Sequence, residues 1–157
     1  MENCFCFLRD EYYKKFPDEN LMHNRNGGLC PFFFAFEDAN TGLLWLVPVS
    51  SKVDKYKARY DKQMAKRGRD DQLAFEELLG RKAVFLIQNI CPSSHKYIDK
   101  TYTLKNGEIV AIPESLAEEI RSKAKRLISL LRRGHSFIYP DVLAIEKALL
   151  EDHSRQH

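Results

Sequence analysis

Hydrophobic positions along the chain form two kinds of pattern, short continuous runs and longer helical stripes. The continuous runs predict strands at residues 4–8, 32–37, 43–49 and 83–90. Between the second and third runs, residues 38–42 have the Asn- and Gly-containing composition of a hairpin loop. Pro48 predicts an edge position or a bulge, because proline lacks the N–H that a strand ladder needs. A second hairpin is expected from 97–104 and 108–112 around Asn106-Gly107.

The first long helix is predicted after Ser50, where the continuous apolar run ends and hydrophobic residues recur at helical spacing. One apolar stripe consists of Val53, Tyr56, Tyr60 and Met64. Ser51 to Asp54 fits a capping box and Gly68 a helix stop. Because Tyr56 and Tyr60 belong to the stripe, we expect them to pack in the core rather than to stack on a base. Shorter helices are predicted at 10–16 and 71–79.

The last third of the chain is predicted to be helical. A capping box at 115–118 precedes an apolar face that consists of Leu116, Ile120, Ala124, Leu127 and Leu131. Gly134 should end this helix, and Pro140-Asp141 should open a final one. With strands and helices intermixed and no linker visible, we expect one α+β domain over residues 1–157, with a largely antiparallel sheet.

Charge is distributed unevenly behind a small total. The chain has 25 Lys+Arg and 22 Asp+Glu, a formal net charge of +3. Residues 52–69 contain eight basic and two acidic residues, and residues 121–133 contain six basic residues and no acid. Each block therefore carries +6, and the remainder carries −9. Two basic blocks on an acidic body predict a polyanionic partner.

Composition excludes several classes of protein. With 44% hydrophobic and 11% aromatic residues, the chain should fold. No apolar run approaches the roughly 20 residues that cross a bilayer, and the N-terminus lacks the pattern of a secretory signal, so we expect a cytoplasmic protein. The cysteines and histidines lack the spacing of metal ligands. We therefore expect no metal and no cofactor, with the cysteines acting as small buried residues.

Candidate chemistry concentrates where the third strand meets the first basic helix. Ser50, Ser51 and Lys52 place two hydroxyls and a cation at a helix N-terminus, whose N–H groups and dipole favour a phosphate. A serine before a helix is also a common N-cap, and both roles are compatible if one serine caps and the other points outward.

Other polar and aromatic positions carry weaker signals. Tyr12 and Tyr13 could present phenols, although tyrosines at the rim of a core are common. His23 lies in a polar loop and could exchange a proton. Gln88 and Asn89 end a predicted strand, where they could read a base edge or simply finish the strand.

Several segments in order resemble the toxins of type III toxin–antitoxin systems, the ToxN/AbiQ superfamily, and most closely its CptN/TenpN branch. These segments are Phe7-Leu8-Arg9-Asp10-Glu11-Tyr12-Tyr13, Phe32-Phe33-Phe34-Ala35-Phe36, Pro48-Val49-Ser50-Ser51-Lys52-Val53-Asp54-Lys55-Tyr56-Lys57, Phe85-Leu86-Ile87-Gln88-Asn89 and Tyr139-Pro140-Asp141-Val142-Leu143. The resemblance covers nearly the whole chain. It implies a compact, curved antiparallel sheet surrounded by helices, related to the Kid/MazF fold.

The resemblance also implies an activity and partners. Members are endoribonucleases that process a repeated antitoxin RNA, remain bound to its pseudoknot in a closed protein–RNA assembly, and cleave cellular mRNA when free, often as a defence against phage. RNA can be cut without metal when its 2′-OH attacks the adjacent phosphate, which leaves a 2′,3′-cyclic phosphate.

Residue by residue, the resemblance assigns catalysis to the serine pair, with Ser51 ahead of Ser50, and to Lys52 or Lys55 and Tyr12. Relatives often have a basic residue before the aromatic strand, where this chain has Leu29-Cys30-Pro31, so His23 or Arg25 would substitute. The residues predicted to contact RNA are His23, Arg25, Lys57, Arg59, Lys62, Gln88, Asn89, Arg121 and Lys125. Two alternatives remain at this point, an RNA-binding protein that does not cut and a protein–protein adaptor that uses the basic helices.

Overall fold

The structure of the protein is a computed structural model that describes residues 4–23, 30–78, 80–101, 110 and 112–155. The strands are β1 Phe5–Leu8, β2 Phe32–Glu37, β3 Leu44–Ser50, β4 Leu73–Leu78, β5 Arg81–Leu86, β6 Cys91–Ser93 and β7 Ile98–Thr101. The helices are α1 Asp10–Lys15, α2 Val53–Arg67, α3 Glu114–Arg132 and α4 Val142–Arg155. Among the described residues, none of the helices is long and apolar enough to span a membrane.

One antiparallel sheet organises the described residues. Its seven strands run in the order β4-β5-β3-β2-β1-β7, and β6 pairs with β3 outside this path. The predicted α+β class and antiparallel sheet are therefore confirmed, as is the first hairpin, in which β2 pairs with β3. The second hairpin was predicted from 97–104 and 108–112. Its first part contains β7, which pairs with β1, and residues 102–109 lie outside the described residues.

Pro48 lies in the interior of the sheet, so the prediction of an edge or a bulge at this residue is wrong. Along one side β3 pairs with β2; along the other it pairs first with β6, through Leu44 to Leu46, and then with β5, through Val49 and Ser50. The N–H of Val49 donates to Pro31 on the β2 side, so the nitrogen of Pro48 faces the opposite side, where the two partner strands change over. The missing N–H costs no ladder bond there.

The short helix predicted at 71–79 is instead strand β4. Its backbone pairs residue by residue with β5, from Leu73 opposite Leu86 to Leu78 opposite Arg81, and Gly80 turns the hairpin with a φ of 79°. Leu, Ala and Glu favour a helix in isolation. The strand forms because pairing with β5 buries Leu73 completely, and burial outweighs these small intrinsic preferences.

Strand β5 separates two hydrophobic clusters. Phe85 packs in the main core, with ring centroids 5.8 Å from Phe33 and 6.2 Å from Phe5. Val84 and Leu86 point to the other face and form a second cluster with Leu73 beneath α2. A strand buried on both faces explains why its sequence is continuously apolar rather than alternating.

Helix ends are set more by glycine than by the predicted capping boxes. Gly68 and Gly134 follow α2 and α3 in the left-handed conformation, with φ of 72° and 92°, which confirms both stops. The caps predicted from Ser51 and from 115–118 are wrong, because α2 starts after Lys52 and α3 after Pro113, neither with a side-chain cap. Asp141 does precede α4, and its carboxylate accepts from the N–H of Ala144 at 3.4 Å.

The aromatic core dictates a first prediction. Phe85→Ala should lower the free energy of unfolding by about 3–5 kcal/mol, because the cavity would open between Phe5 and Phe33. Phe137→Ala, at a ring that is 36% exposed, is the matched control and should cost less than about 1 kcal/mol. Urea unfolding followed by circular dichroism measures both; equal losses would contradict the placement of Phe85.

Candidate nucleic-acid interface

The two serines at the end of β3 have different surroundings. Ser50 is half-buried opposite Val84 of β5, and its Oγ accepts from the backbone N–H of Lys52 at 3.1 Å. Ser51 is exposed; its carbonyl accepts from the N–H of Val53 at 2.9 Å, and among the described residues its hydroxyl has no partner. One serine thus holds the turn into α2, and the other presents a free hydroxyl to solvent.

A continuous basic stripe follows from this turn along α2. Its members are spaced three or four residues apart and so share one face, namely Lys52, Lys55, Arg59, Lys62 and Lys66. Within α2, in the described part of the chain, the ion pair formed is Lys57 with Asp61 at 3.0 Å, which leaves the stripe without a carboxylate partner. A neighbouring apolar face of α2 packs through Val53, Tyr56 and Tyr60 on the second cluster. Uncompensated cations on an exposed face attract polyanions.

Arg59 is held in the middle of the stripe. Its guanidinium donates to Oε1 of Gln88 and, at 3.2 Å, to the hydroxyl of Tyr139. Its Nε is buried and has no acceptor among the described residues. Gln88 is 3% exposed, whereas Tyr139 is 47% exposed. Arg59 therefore ties α2 to a tyrosine whose ring remains available to a ligand.

Three segments line the flank of α2 on the side of Tyr139. The side-chain amide of Asn89 donates to the carbonyl of Asn20 at 3.0 Å, and the amide of Asn20 lies 3.4 Å from the carbonyl of Tyr139. Asp18 accepts from the N–H of Asp141 at 2.8 Å. These bonds join 18–23, 87–89 and 135–141 into one wall beside the stripe.

His23 belongs to this wall. Its ring stacks on Tyr13, with centroids 4.6 Å apart, and its Nε2 lies 3.4 Å from the carbonyl of Asp18. The neighbouring Met22 packs against the cluster beneath α2, which includes Val53. Met22 and the first turn of α2 therefore pack on one cluster, although Met22 also contacts the main core. Arg25 lies outside the described residues.

Tyr12 is sealed in the core, contrary to its assignment as an active-site phenol. The side chain is fully buried, and its hydroxyl donates to the carbonyl of Pro92 at 2.6 Å. Burial, with Cys91 nearby, raises the pKa of Tyr12 well above its usual range. A phenol without access to solvent or a free proton cannot act on a phosphate at the surface.

The predicted base-reading roles of Gln88 and Asn89 also need correction. Both side chains are buried, and both already bind protein groups, Gln88 to Arg59 and Asn89 to Asn20. They position the basic stripe and the wall rather than offering an edge to a ligand.

The second basic block is largely neutralised by neighbouring acids. Arg121 pairs with Glu114 and Glu118, and Lys123 pairs with Glu119. Arg126 pairs with Asp71, and Arg132 grips the buried Glu146 through two bonds of 2.9 and 2.7 Å. Lys125, also predicted to contact RNA, lies 5.1 Å above the ring of Phe36, away from α2. The two blocks carry equal formal charge, but most cations of the second block are paired with carboxylates and those of the stripe on α2 are not.

The buried thiols and the metal-ligating residue types form no further reactive cluster among the described residues. Burial raises the pKa of the thiols of Cys6 and Cys91 to about 12, so both stay protonated at neutral pH. Across the described residues no three His, Cys, Asp or Glu side chains converge as metal ligands.

Two residues of the interface, Tyr139 and Asn20, were not predicted from the sequence. The segment Tyr139-Pro140-Asp141 was prominent in the sequence, but nothing local showed that it would contact Arg59.

Comparison with known proteins finds a match in structure but not in sequence. No family model matches the chain, and no curated protein sequence matches it significantly. Among solved structures, the fold is similar to that of AbiQ, described as a lactococcal anti-phage endoribonuclease belonging to the type-III toxin-antitoxin system. The TM-score is 0.66 at 15% identity, over 97% of this chain and 98% of that one. At this identity the likeness establishes the shared fold.

The placement of Tyr12 generates a second prediction. Tyr12→Phe removes the bond to Pro92 and should lower the free energy of unfolding by about 1–3 kcal/mol, because a buried carbonyl loses its donor. Its affinity for RNA, and any RNA cleavage, should stay within twofold of the original protein at temperatures where both are folded. A loss of more than tenfold in cleavage without a loss of stability would restore Tyr12 to the site.

Proposed function

We propose that this protein is an endoribonuclease toxin of a type III toxin–antitoxin system, within the ToxN/AbiQ family and its CptN/TenpN branch. The observation that carries the proposal is the exposed Ser51 at the head of an uncompensated basic stripe. The fold supports it, since the similar AbiQ is itself described as such an endoribonuclease. Because folds host many activities, the site rather than the likeness carries the argument.

In the proposed reaction the RNA supplies its own nucleophile. The 2′-OH attacks the adjacent phosphorus, the bond to the 5′-oxygen breaks, and the products are a 2′,3′-cyclic phosphate and a 5′-OH. The protein aligns this attack and stabilises negative charge on the phosphate. No metal takes part.

Roles follow from the geometry of the junction. The hydroxyl of Ser51 and the N–H groups of the first turn of α2 beyond Val53 hold the phosphate. Ser50 keeps the turn in place through its bond to Lys52. Lys52 or Lys55, both exposed, stabilises the developing charge or protonates the leaving oxygen. His23, in the wall beside α2, exchanges the proton. Tyr12 has no part.

The proposed biological partners are RNAs. The protein, a single cytoplasmic domain, cuts a repeated antitoxin transcript and stays inhibited in a closed assembly with the resulting pseudoknot. When free, it cleaves cellular mRNA. The basic stripe follows the RNA backbone, and the exposed ring of Tyr139 stacks on a base.

Replacement of the free hydroxyl tests the reaction. Ser51→Ala should lower the cleavage rate of the host RNA repeat by about 100-fold, the usual cost of one donor to a transition-state anion. Gel analysis in EDTA measures the rate, and sensitivity of the products to a phosphatase that removes cyclic phosphates identifies the ends.

The matched control is Ser122→Ala, an exposed serine on α3, which should cleave at the original rate. Full activity of Ser51→Ala would overturn the mechanism. If the original protein binds RNA but leaves it intact after long incubation, the protein is a non-cutting RNA binder, and if it does not bind at moderate salt, the adaptor alternative stands.

The unequal availability of the two basic blocks gives a prediction for binding. Lys62→Ala should weaken binding of a single-stranded RNA and reduce the slope of log K against log salt by about 0.7, because one phosphate contact is lost. Arg121→Ala, which removes a cation already paired with Glu114 and Glu118, should change the slope far less. Fluorescence anisotropy over a salt series measures both slopes. Equal changes in the two variants would show that pairing with carboxylates does not determine which cations bind RNA.

A further inference from the structure

A pocket lies at the opposite end of α2 from the serines. Its volume is about 300 Å³, at the lower end of the range for small-ligand sites. It is bounded by the last turn of α2, the turn before β4, helix α3 and residues 135–137, and the residues that matter here are Arg67, Arg69, Asp70, Asp71, Arg126 and Phe137. We refer to it as the Asp70 pocket.

Asp70 has an acceptor that the protein does not use. Its side chain is 7% exposed, and its Oδ1 accepts from the N–H groups of Gln72 at 2.8 Å and Leu73 at 3.0 Å. Its Oδ2 is buried and has no hydrogen-bond partner among the described residues. An unpaired buried carboxylate oxygen costs free energy that a donor on a ligand would recover.

The rest of the lining favours a phosphate and an aromatic ring. Arg69 and Arg126 both bind Asp71 at 2.9 Å, while Arg67 has no ion-pair partner in the described part of the chain. Three arginines therefore face two aspartates, which leaves the pocket cationic. Phe137 adds a ring that is 36% exposed and could stack on a base.

From this combination we infer that the Asp70 pocket binds one RNA nucleotide whose base carries an amino group on its Watson–Crick edge, guanine best of all. The free Oδ2 accepts from the N1–H and N2–H of guanine, the ring stacks on Phe137, and Arg67 binds the phosphate. Uracil would place a carbonyl oxygen beside Oδ2 on either side of its single N–H, so a carboxylate rejects it.

The position of the pocket suits a strand that already lies on α2. The 15 residues of α2 make a helix about 22 Å long. An RNA that follows the stripe from Ser51 would reach the pocket several nucleotides from the bond that is cut. This link to cleavage rests on the proposed function, whereas nucleotide binding in the pocket does not.

Binding of 5′-GMP and 5′-UMP to the full-length protein tests the inference by calorimetry at low salt. The original protein should bind GMP about tenfold more tightly than UMP, the discrimination typical of one well-placed edge contact. Asp70→Asn keeps an oxygen for Gln72 and Leu73 but replaces the free acceptor with a donor, so the preference should vanish or reverse. An unchanged GMP to UMP ratio in this variant, or no binding of either nucleotide by the original protein, would overturn the inference.

Two further variants guard against a structural explanation. Phe137→Ala should weaken both nucleotides but leave a preference for GMP, because the stacking contact is lost while the edge contact to Asp70 remains. Asp99→Asn, at an exposed carboxylate bound to Arg9, is the matched control and should change nothing. If Asp70→Asn fails to fold, loss of the GMP preference in Asp70→Ser decides, and retention of the preference refutes the role of Oδ2.

The outcomes separate this inference from the proposed function. A GMP preference that depends on Asp70, in a protein whose Ser51→Ala variant still cleaves, would keep the pocket and discard the mechanism. Loss of cleavage in Ser51→Ala together with equal binding of GMP and UMP would do the reverse.

Discussion

The pairing of β3 with three other strands is the constraint on which the rest of the structure depends. β2 occupies one side of β3, while β6 and then β5 share the other, so the last residues of β3 can only continue out over β5. Val84 and Leu86 point to the face of β5 away from the main core, and their apolar side chains need a cover. Helix α2 supplies it, because the chain leaves β3 beside β5. Ser51 and Lys52 occupy the passage from strand to helix, and their exposure at the head of α2 follows from the way the sheet is covered.

Availability of charge, rather than its amount, distinguishes the two basic helices. Helix α3 stands beside carboxylates on its own first turns, on the turn before β4 and on α4, and these consume most of its cations. Exposed ion pairs add little stability, so the pairs matter mainly because they hide positive charge from a polyanion. On α2 the acids fall off the basic stripe, and the charge remains directed at solvent. The acidic residues that bring the net charge close to zero therefore neutralise mainly the cations of α3.

Patterns that reflect burial were readable from the sequence, and patterns that depend on partners distant in the chain were not. The hairpin of β2 and β3, the glycine stops and the apolar face of α3 all follow from short-range periodicity or turn chemistry, and the structure confirms them. β4 was misread because helix-forming residues were stabilised as a strand by β5. Tyr12 was misplaced because a motif gives the order of residues but not which side of a short helix meets Pro92. The unpaired oxygen of Asp70 had no signal in the sequence, because it depends on whether the fold places a hydrogen-bond donor beside it.

The likeness to AbiQ at 15% identity bears on where recognition can differ between proteins of this fold. Strands buried on both faces, such as β5, need apolar residues of suitable volume but few particular ones, so the fold tolerates extensive replacement. The exposed members of the basic stripe are under no such packing demand, whereas the wall of 18–23, 87–89 and 135–141 is held by its own bonds and by those of Arg59. Those bonds make Arg59 a fixed point between the exposed face of α2 and the wall. Under the proposed function, the exposed side chains on either side of Arg59 could therefore be replaced to suit another RNA without any change in the packing of the sheet beneath.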